Sequence, residues 1–229
     1  MPVSTRTARR TVVASLVALA AAAVAAATLA APPTALAARA TAPAAHEVKP
    51  SDRWLDGLTA KRRQFFDSPA PAGGVPLVHI LNYYETLNKA YGVKDAGVDA
   101  VGTFYGATTF YALNDAMWAK YRLGEFLETN DPATGRPAVA NPWRAAPVVL
   151  GMTLPQASVE SLSKRGATFI VCNNALQIFA GLLAAKRGLE ANAVYEDLRS
   201  NILPGVHLVP AMVVAIEQAQ RAGLSYHRQ

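Results

Sequence analysis

The sequence predicts an α/β domain of three layers, with a mainly parallel sheet of about five strands between two layers of helices. Three observations lead to it. The runs "GVDAVGTFYG", "ATFIVC" and "VHLVPAM" are largely apolar, as in strands buried on both faces. Each is followed by a stretch of helical spacing, such as Phe110, Leu113, Met117 and Tyr121, three and four residues apart. The single cysteine, Cys172, excludes an intramolecular disulfide, so an ordinary apolar core must hold the fold.

The first segment, residues 1–37, is expected to be an export signal that takes no part in the fold. Arg6, Arg9 and Arg10 precede an uncharged, alanine-rich run from Val12 to Ala31, and Ala35-Leu36-Ala37 is a small-residue exit with cleavage after Ala37. A permanent anchor is the alternative, because the run approaches the ~20 residues that span a bilayer. Alanine contributes little apolar area, however, and Pro32-Pro33 lead straight into the cleavage pattern. The pair Arg9-Arg10 before Thr11-Val12-Val13 matches a twin-arginine signal. The expected destination is the periplasm or the medium, by the Tat or Sec route, with no stable membrane anchor after cleavage.

Charge follows from this division. The chain has 22 Lys+Arg against 16 Asp+Glu, a net +6, and loss of the three signal arginines leaves +3. The remainder has no dense Lys/Arg stripe of the kind that displaces counterions from phosphates, which excludes a nucleic-acid partner.

Residues 38–50 read as a flexible leader and 51–229 as one domain. "SDRWLDGLTAKRRQFFDS" places Trp54, Leu55, Leu58, Phe65 and Phe66 at near-helical spacing and predicts an outer helix ended by Pro69 and Pro71. "VPLVHILNYY" predicts a strand and "ETLNKAYGV" a helix; "GVDAVGTFYG" predicts a strand and "ATTFYALNDAMWAKYRLGEFLE" a helix, either buried on two sides or broken near Gly124. A short strand in "APVVLGMTLP" and a helix in "QASVESLSKRG" follow. "ATFIVC" then reads as a strand, "NNALQIFAGLLAAKRG" and "ANAVYEDLRSNI" as helices, "VHLVPAM" as a strand, "VVAIEQAQRAG" as a helix and "LSYHR" as a last strand or tail. No internal repeat is found.

Ligands of such sheets sit beyond the carboxyl ends of the strands. The expected ends are Asn82-Tyr83-Tyr84-Glu85, Tyr105 to Thr109, Cys172-Asn173-Asn174 and Pro210-Ala211-Met212. Cys172 closes a strand, and Asn173 or Asn174 caps the next helix. A thiol there meets unpaired N–H groups and the positive end of a helix dipole, which favour a thiolate nucleophile. A free cysteine is also among the most buried residue types, so the residues alone leave an inert core thiol equally open.

The stretch "RGATFIVCNNAL", followed by "NILPGVHLVPAMVVAIEQAQRAGLSY", resembles the C-terminal half of the DsrE-like family of sulfur-relay proteins, and the similarity extends back to Pro76. The resemblance implies a compact three-layer subunit assembled into trimers or hexamers. It also implies that Cys172 carries sulfur as a persulfide between a donor and an acceptor protein, with no cofactor.

Other constellations are weaker. Gly106, Thr108 and Thr109, between a strand and a helix, suit either an anion site or simple capping; together with Asn173 and Asn174 they are the candidate substrate-binding residues. His46, His79, His207 and His227 show no ligand spacing, so no metal site is expected, and His79 and His207 read as hydrogen-bonded structural residues. Absence of GxSxG, GxGxxG and a phosphate loop counts against hydrolase, dehydrogenase and nucleotidase activity. Trp143 and Arg144, in the proline-rich loop 129–147, either line the Cys172 site, form an oligomer interface or pin a surface loop.

Overall fold

A computed structural model describes residues 50–229. The expected signal with Arg9, Arg10 and its cleavage position, the leader to residue 49, and His46 lie outside the described residues. The three-layer α/β/α architecture is present. Five strands form an all-parallel sheet: β1 (Arg62–Asp67), β2 (Val98–Phe104), β5 (Thr168–Cys172), β6 (Val206–Val209) and β7 (Ser225–Arg228), in the spatial order β6-β5-β2-β1-β7. Two-residue strands β3 (Val148–Val149) and β4 (Met152–Thr153) pair only with each other, so "APVVLGMTLP" is a small hairpin outside the main sheet.

Residues alternate between two cores along each strand, as the pleat requires. Phe66, Ala100, Phe104, Phe169 and Val171 face one layer. This layer holds α1 (Val75–Tyr91), α4 (Val159–Lys164), α5 (Asn173–Arg187) and α6 (Ala191–Ser200). Phe65, Val101, Ile170, Cys172 and Val209 face the other, made by α7 (Met212–Arg221) and the 3-10 turn Pro50–Leu55 with Trp54.

The structure corrects the sequence reading in three places. "VPLVHILNYY" is the first half of α1, not a strand. Leu77, Ile80, Tyr84 and Leu87 are buried at spacings of three and four, Pro76 occupies the first turn, and Gly92 ends the helix at φ +67°. Asn82 to Glu85 are therefore mid-helix and lie at no strand end. The first strand is instead "RRQFFD", read above as helix; Phe65 and Phe66 are both buried because they serve opposite cores. The long helix expected from Ala107 to Glu128 is a 3-10 turn (Gly106–Ala112) and two short helices, α2 (Asp115–Lys120) and α3 (Leu123–Phe126). Asn114 interrupts it by capping α2, its side chain accepting from the Met117 N–H at 3.1 Å, and Arg122 at φ +52° separates α2 from α3.

Two contacts fix the layer that holds α1. Gly102, in the middle of β2, admits the Phe169 ring: a Cβ there would lie 2.5 Å from the ring edge. Arg165, just past α4, reaches Glu85 (2.6 Å), Asn88 (2.9 Å) and Asp95 (2.9 Å), and its guanidinium lies 4.9 Å from the Tyr84 ring centre. This clamp joins α1, the turn before β2 and the end of α4. The Arg165 hydrogen bond holds the Asp95 carboxyl below the usual carboxylate range. Lys89 and then Arg165 do the same for Glu85.

Gly102→Ala is expected to lower unfolding free energy by about 1–3 kcal/mol through overpacking against Phe169, measured by denaturant melts. Arg165→Ala is expected to cost about 1–2 kcal/mol at neutral pH, given that its partners are partly exposed. Depressed carboxylates add stability that is complete above their unfolded pKa of about 4 and is lost as pH falls through the folded values. The wild-type acid limb between about pH 5 and 2 should therefore flatten in the variant.

Candidate functional site

The chain changes layers after β6. The connections leaving β1, β2 and β5 all cross on the α1/α5 face, whereas the one leaving β6 is α7, on the opposite face. Neighbouring strands β5 and β6 thus send their following helices to opposite sides, and a crevice at their carboxyl ends is the place where open α/β sheets bind ligands.

Cys172 lies at that point. It ends β5 opposite Val209 of β6, and its Sγ accepts N–H bonds from Ala175 in the first turn of α5 (3.4 Å) and from Met212 at the start of α7 (3.3 Å). One sulfur atom caps α5 and meets a second helix N-terminus from the other layer, so two positive dipole ends converge on it. The residue is 5% exposed, among Val101, Ile170, Val209 and Met212. Immediately outside lie exposed groups: Asn174, Pro210 and, 73% exposed, Val213.

The remaining expected site residues separate. Asn173 borders a cavity of about 270 Å³ with Tyr195, Arg199 and Pro210 on the α6 side of the crevice, and its side-chain oxygen accepts from the Tyr195 hydroxyl at 2.6 Å. Asn174 is exposed, and its N–H donates to Pro210 O (3.2 Å), tying the two strand ends together. Gly106, Thr108 and Thr109 follow the capping reading. Thr108 Oγ1 donates to Ser68 O (2.7 Å) and accepts from Tyr105 N (3.0 Å), Thr109 Oγ1 donates to Gly106 O (2.7 Å), and both side chains are buried. A Cβ at Gly106 would lie 2.9 Å from Pro69 O, so this glycine serves a close backbone approach at φ +57°.

Trp143 and Arg144 pin the loop and do not reach the cysteine. Trp143 packs on Tyr111 and Phe104 in the core across the sheet from Cys172, and Arg144 binds Asp115 (2.8 Å) and Glu160 (2.5 Å). His79 is hydrogen-bonded, as expected, but on α1; His207 is exposed on β6.

A polar row next to Cys172 joins Tyr105, an expected strand end, to Asp67 and Tyr226, which sequence reasoning does not reach. Phe104 pairs with Val171, so Tyr105 follows β2 beside Cys172, and it packs against the same core. Its hydroxyl donates to Asp67 Oδ1 (2.6 Å) at the end of β1, and Tyr226 of β7 donates to Oδ2 (2.5 Å). Asp67 is 1% exposed and Gln229 N–H donates to its backbone carbonyl at 2.9 Å. Burial, then the Asp67 bond, raises the Tyr105 pKa. The Asp67 bond, then burial, raises that of Tyr226. Both phenols thus remain donors through neutral pH. The reading of "RRQFFDS" as helix hid this row, since Asp67 has meaning only as a strand end.

Among the described residues no group of three or more His, Cys, Asp or Glu side chains converges as a metal site, and no helix is long and apolar enough to cross a membrane. No family model matches the chain, and no curated protein matches it.

Asp67→Ala removes the acceptor of two phenols at once. It is expected to cost about 2–3 kcal/mol and to speed amide hydrogen exchange selectively in β7, read by exchange mass spectrometry. Uniform exchange across the sheet would show that Asp67 does not fasten this strand.

Proposed function

We propose that the chain is an exported DsrE-like protein, assembled with copies of itself, whose Cys172 accepts sulfane sulfur and passes it on as a persulfide. The observation that carries this reading is the place of Sγ between two helix N-termini, at the crevice where the crossovers change sides. Backbone N–H groups directed at a sulfur atom stabilise negative charge on it, and a thiolate is the form that attacks. The Cys172 thiolate attacks the terminal sulfur of a donor persulfide; the donor S–S bond breaks, the donor leaves as a thiolate, and Cys172 holds the new S–S bond. An acceptor thiolate then takes the same terminal sulfur and releases the Cys172 thiolate. Both steps are thiol–disulfide exchanges with no net oxidation, so neither requires a metal or an organic cofactor.

A second reading is an oligomeric binding module of the same fold with an inert cysteine. The observation in its favour is burial: Cys172 is 5% exposed and its neighbours are apolar.

Intact mass after incubation with polysulfide separates the two. Sulfur transfer gives one added sulfur per chain, absent in Cys172→Ser and removed by a small thiol. Maleimide labelling in the folded state is run in parallel. Ready labelling without a sulfur adduct would sink the first reading. Slow labelling, with Cys172→Ala costing only about 1 kcal/mol as a lost cap, would establish the second.

A further inference from the structure

At the opposite border of the sheet from β6, α1 and β7 leave a groove between them. α1 packs its Leu77, Ile80 and Tyr84 over β1 and β2, while β7 extends the sheet one strand beyond. The groove is a cavity of about 400 Å³, with His79, Asn82 and Tyr83 from α1, Gln64 and Phe66 from β1, and His227 from β7. No Lys, Arg, Asp or Glu lines it. Residues 79, 82 and 83 share one helix face, and that face is polar where it looks over the sheet edge.

The two imidazoles come from positions 148 residues apart in the chain, and their ring centres lie 5.5 Å apart with planes at 86°. Two imidazoles on one ion, each with a metal–nitrogen bond of about 2.0–2.1 Å, place their ring centres about 5–6 Å apart. His79 is further oriented from behind. Its Nδ1 lies 2.7 Å from Gln229 Oε1, and in the tautomer in which Nδ1 donates to that amide oxygen, Nε2 is the nitrogen left to bind a metal. A ring N–H held by a carbonyl oxygen is the support that metal-binding histidines ordinarily have.

We propose that His79 and His227 form a two-imidazole site for a divalent transition-metal ion, with water or an incoming ligand completing its shell. The donor set selects the metal class. Imidazole suits zinc, copper and nickel, whereas a groove without carboxylates offers calcium or magnesium nothing they prefer. Gln64 and Asn82 stand in the same groove as hydrogen-bonding partners for a metal-bound water. The expectation of no metal site came from spacing along the chain, and β7 overrides that spacing by returning to the side of β1. This site is independent of Cys172 and of the sulfur-transfer reading.

The test is calorimetric titration of the full chain with Zn(II) and Ni(II) in a non-coordinating buffer, with Mg(II) as control. The expected result is one ion per chain, at least about tenfold weaker binding in His79→Gln and in His227→Gln, and a smaller loss in Gln229→Ala. In the unaltered chain the ring-proton resonances of His79 and His227 should shift or broaden together on adding Zn(II), a readout that needs no variant to fold. Absence of binding, unchanged affinity in both histidine variants, a response from only one of the two imidazoles, or equal binding of Mg(II) would overturn the proposal. In any of those cases the 5.5 Å pair is a ring contact that helps seat β7.

Discussion

The carboxyl edge of this molecule is organised by the two N–H bonds that converge on one sulfur atom. Ala175 and Met212 belong to helices in different layers, and only a strand end at a change of crossover side brings two such helix starts within reach of one side chain. The sheet order β6-β5-β2-β1-β7 follows the same constraint. Having built outward from β1 to β6 with every helix on one face, the chain covers the bare face with α7, and α7 delivers β7 to the far side of β1. Burial of the second sheet face, the second positive dipole at Cys172 and the position of β7 are therefore one event. Trp54 and Leu58 complete that face from the other end of the domain.

Legibility in the sequence followed the range of the interactions concerned. Strands β2, β5 and β6 and helices α5, α6 and α7 were readable, because a continuous apolar run followed by a helical stripe is a local signal. The same rule failed at β1 and α1, which exchanged identities. "VPLVHILNYY" is rich in β-formers, but the stripe through Tyr84 and Leu87 and the closing Gly92 decide for helix. In "RRQFFD" two adjacent phenylalanines mimic a helical face until the sheet assigns one to each core. Helical spacing from Phe110 to Tyr121 was real as a pattern of burial, yet Asn114 spends its side chain on a cap and breaks the helix.

At the candidate site the cysteine and its helix start could be read from residues 166–176 alone. Its second donor, Met212, could not, since no local signal says that α7 starts beside β5. Tyr105 was readable as a strand end, but its link to Asp67, and Asp67 and Tyr226 themselves, were not, for the same reason: the hydrogen bonds join residues 38 and 159 positions apart. Gly106, Thr108 and Thr109 show the converse. Their pattern between strand and helix resembles a phosphate cradle, but the hydroxyls bond nearby backbone groups in a buried turn.

The pairing of β7 with β1 has a kinetic side. Gln64 and Ser225 are register partners although about 160 residues separate them, so this ladder closes one of the largest loops in the domain. Contacts of that span form late, because the entropy of loop closure must be met before the ladder rewards it. Until residues 225–228 arrive, the outer edge of β1 presents unpaired backbone groups, an open template for another strand. The last strand therefore also acts as an edge protector. A nascent chain that has not yet released it would carry its most association-prone surface at the strand that ends in Asp67.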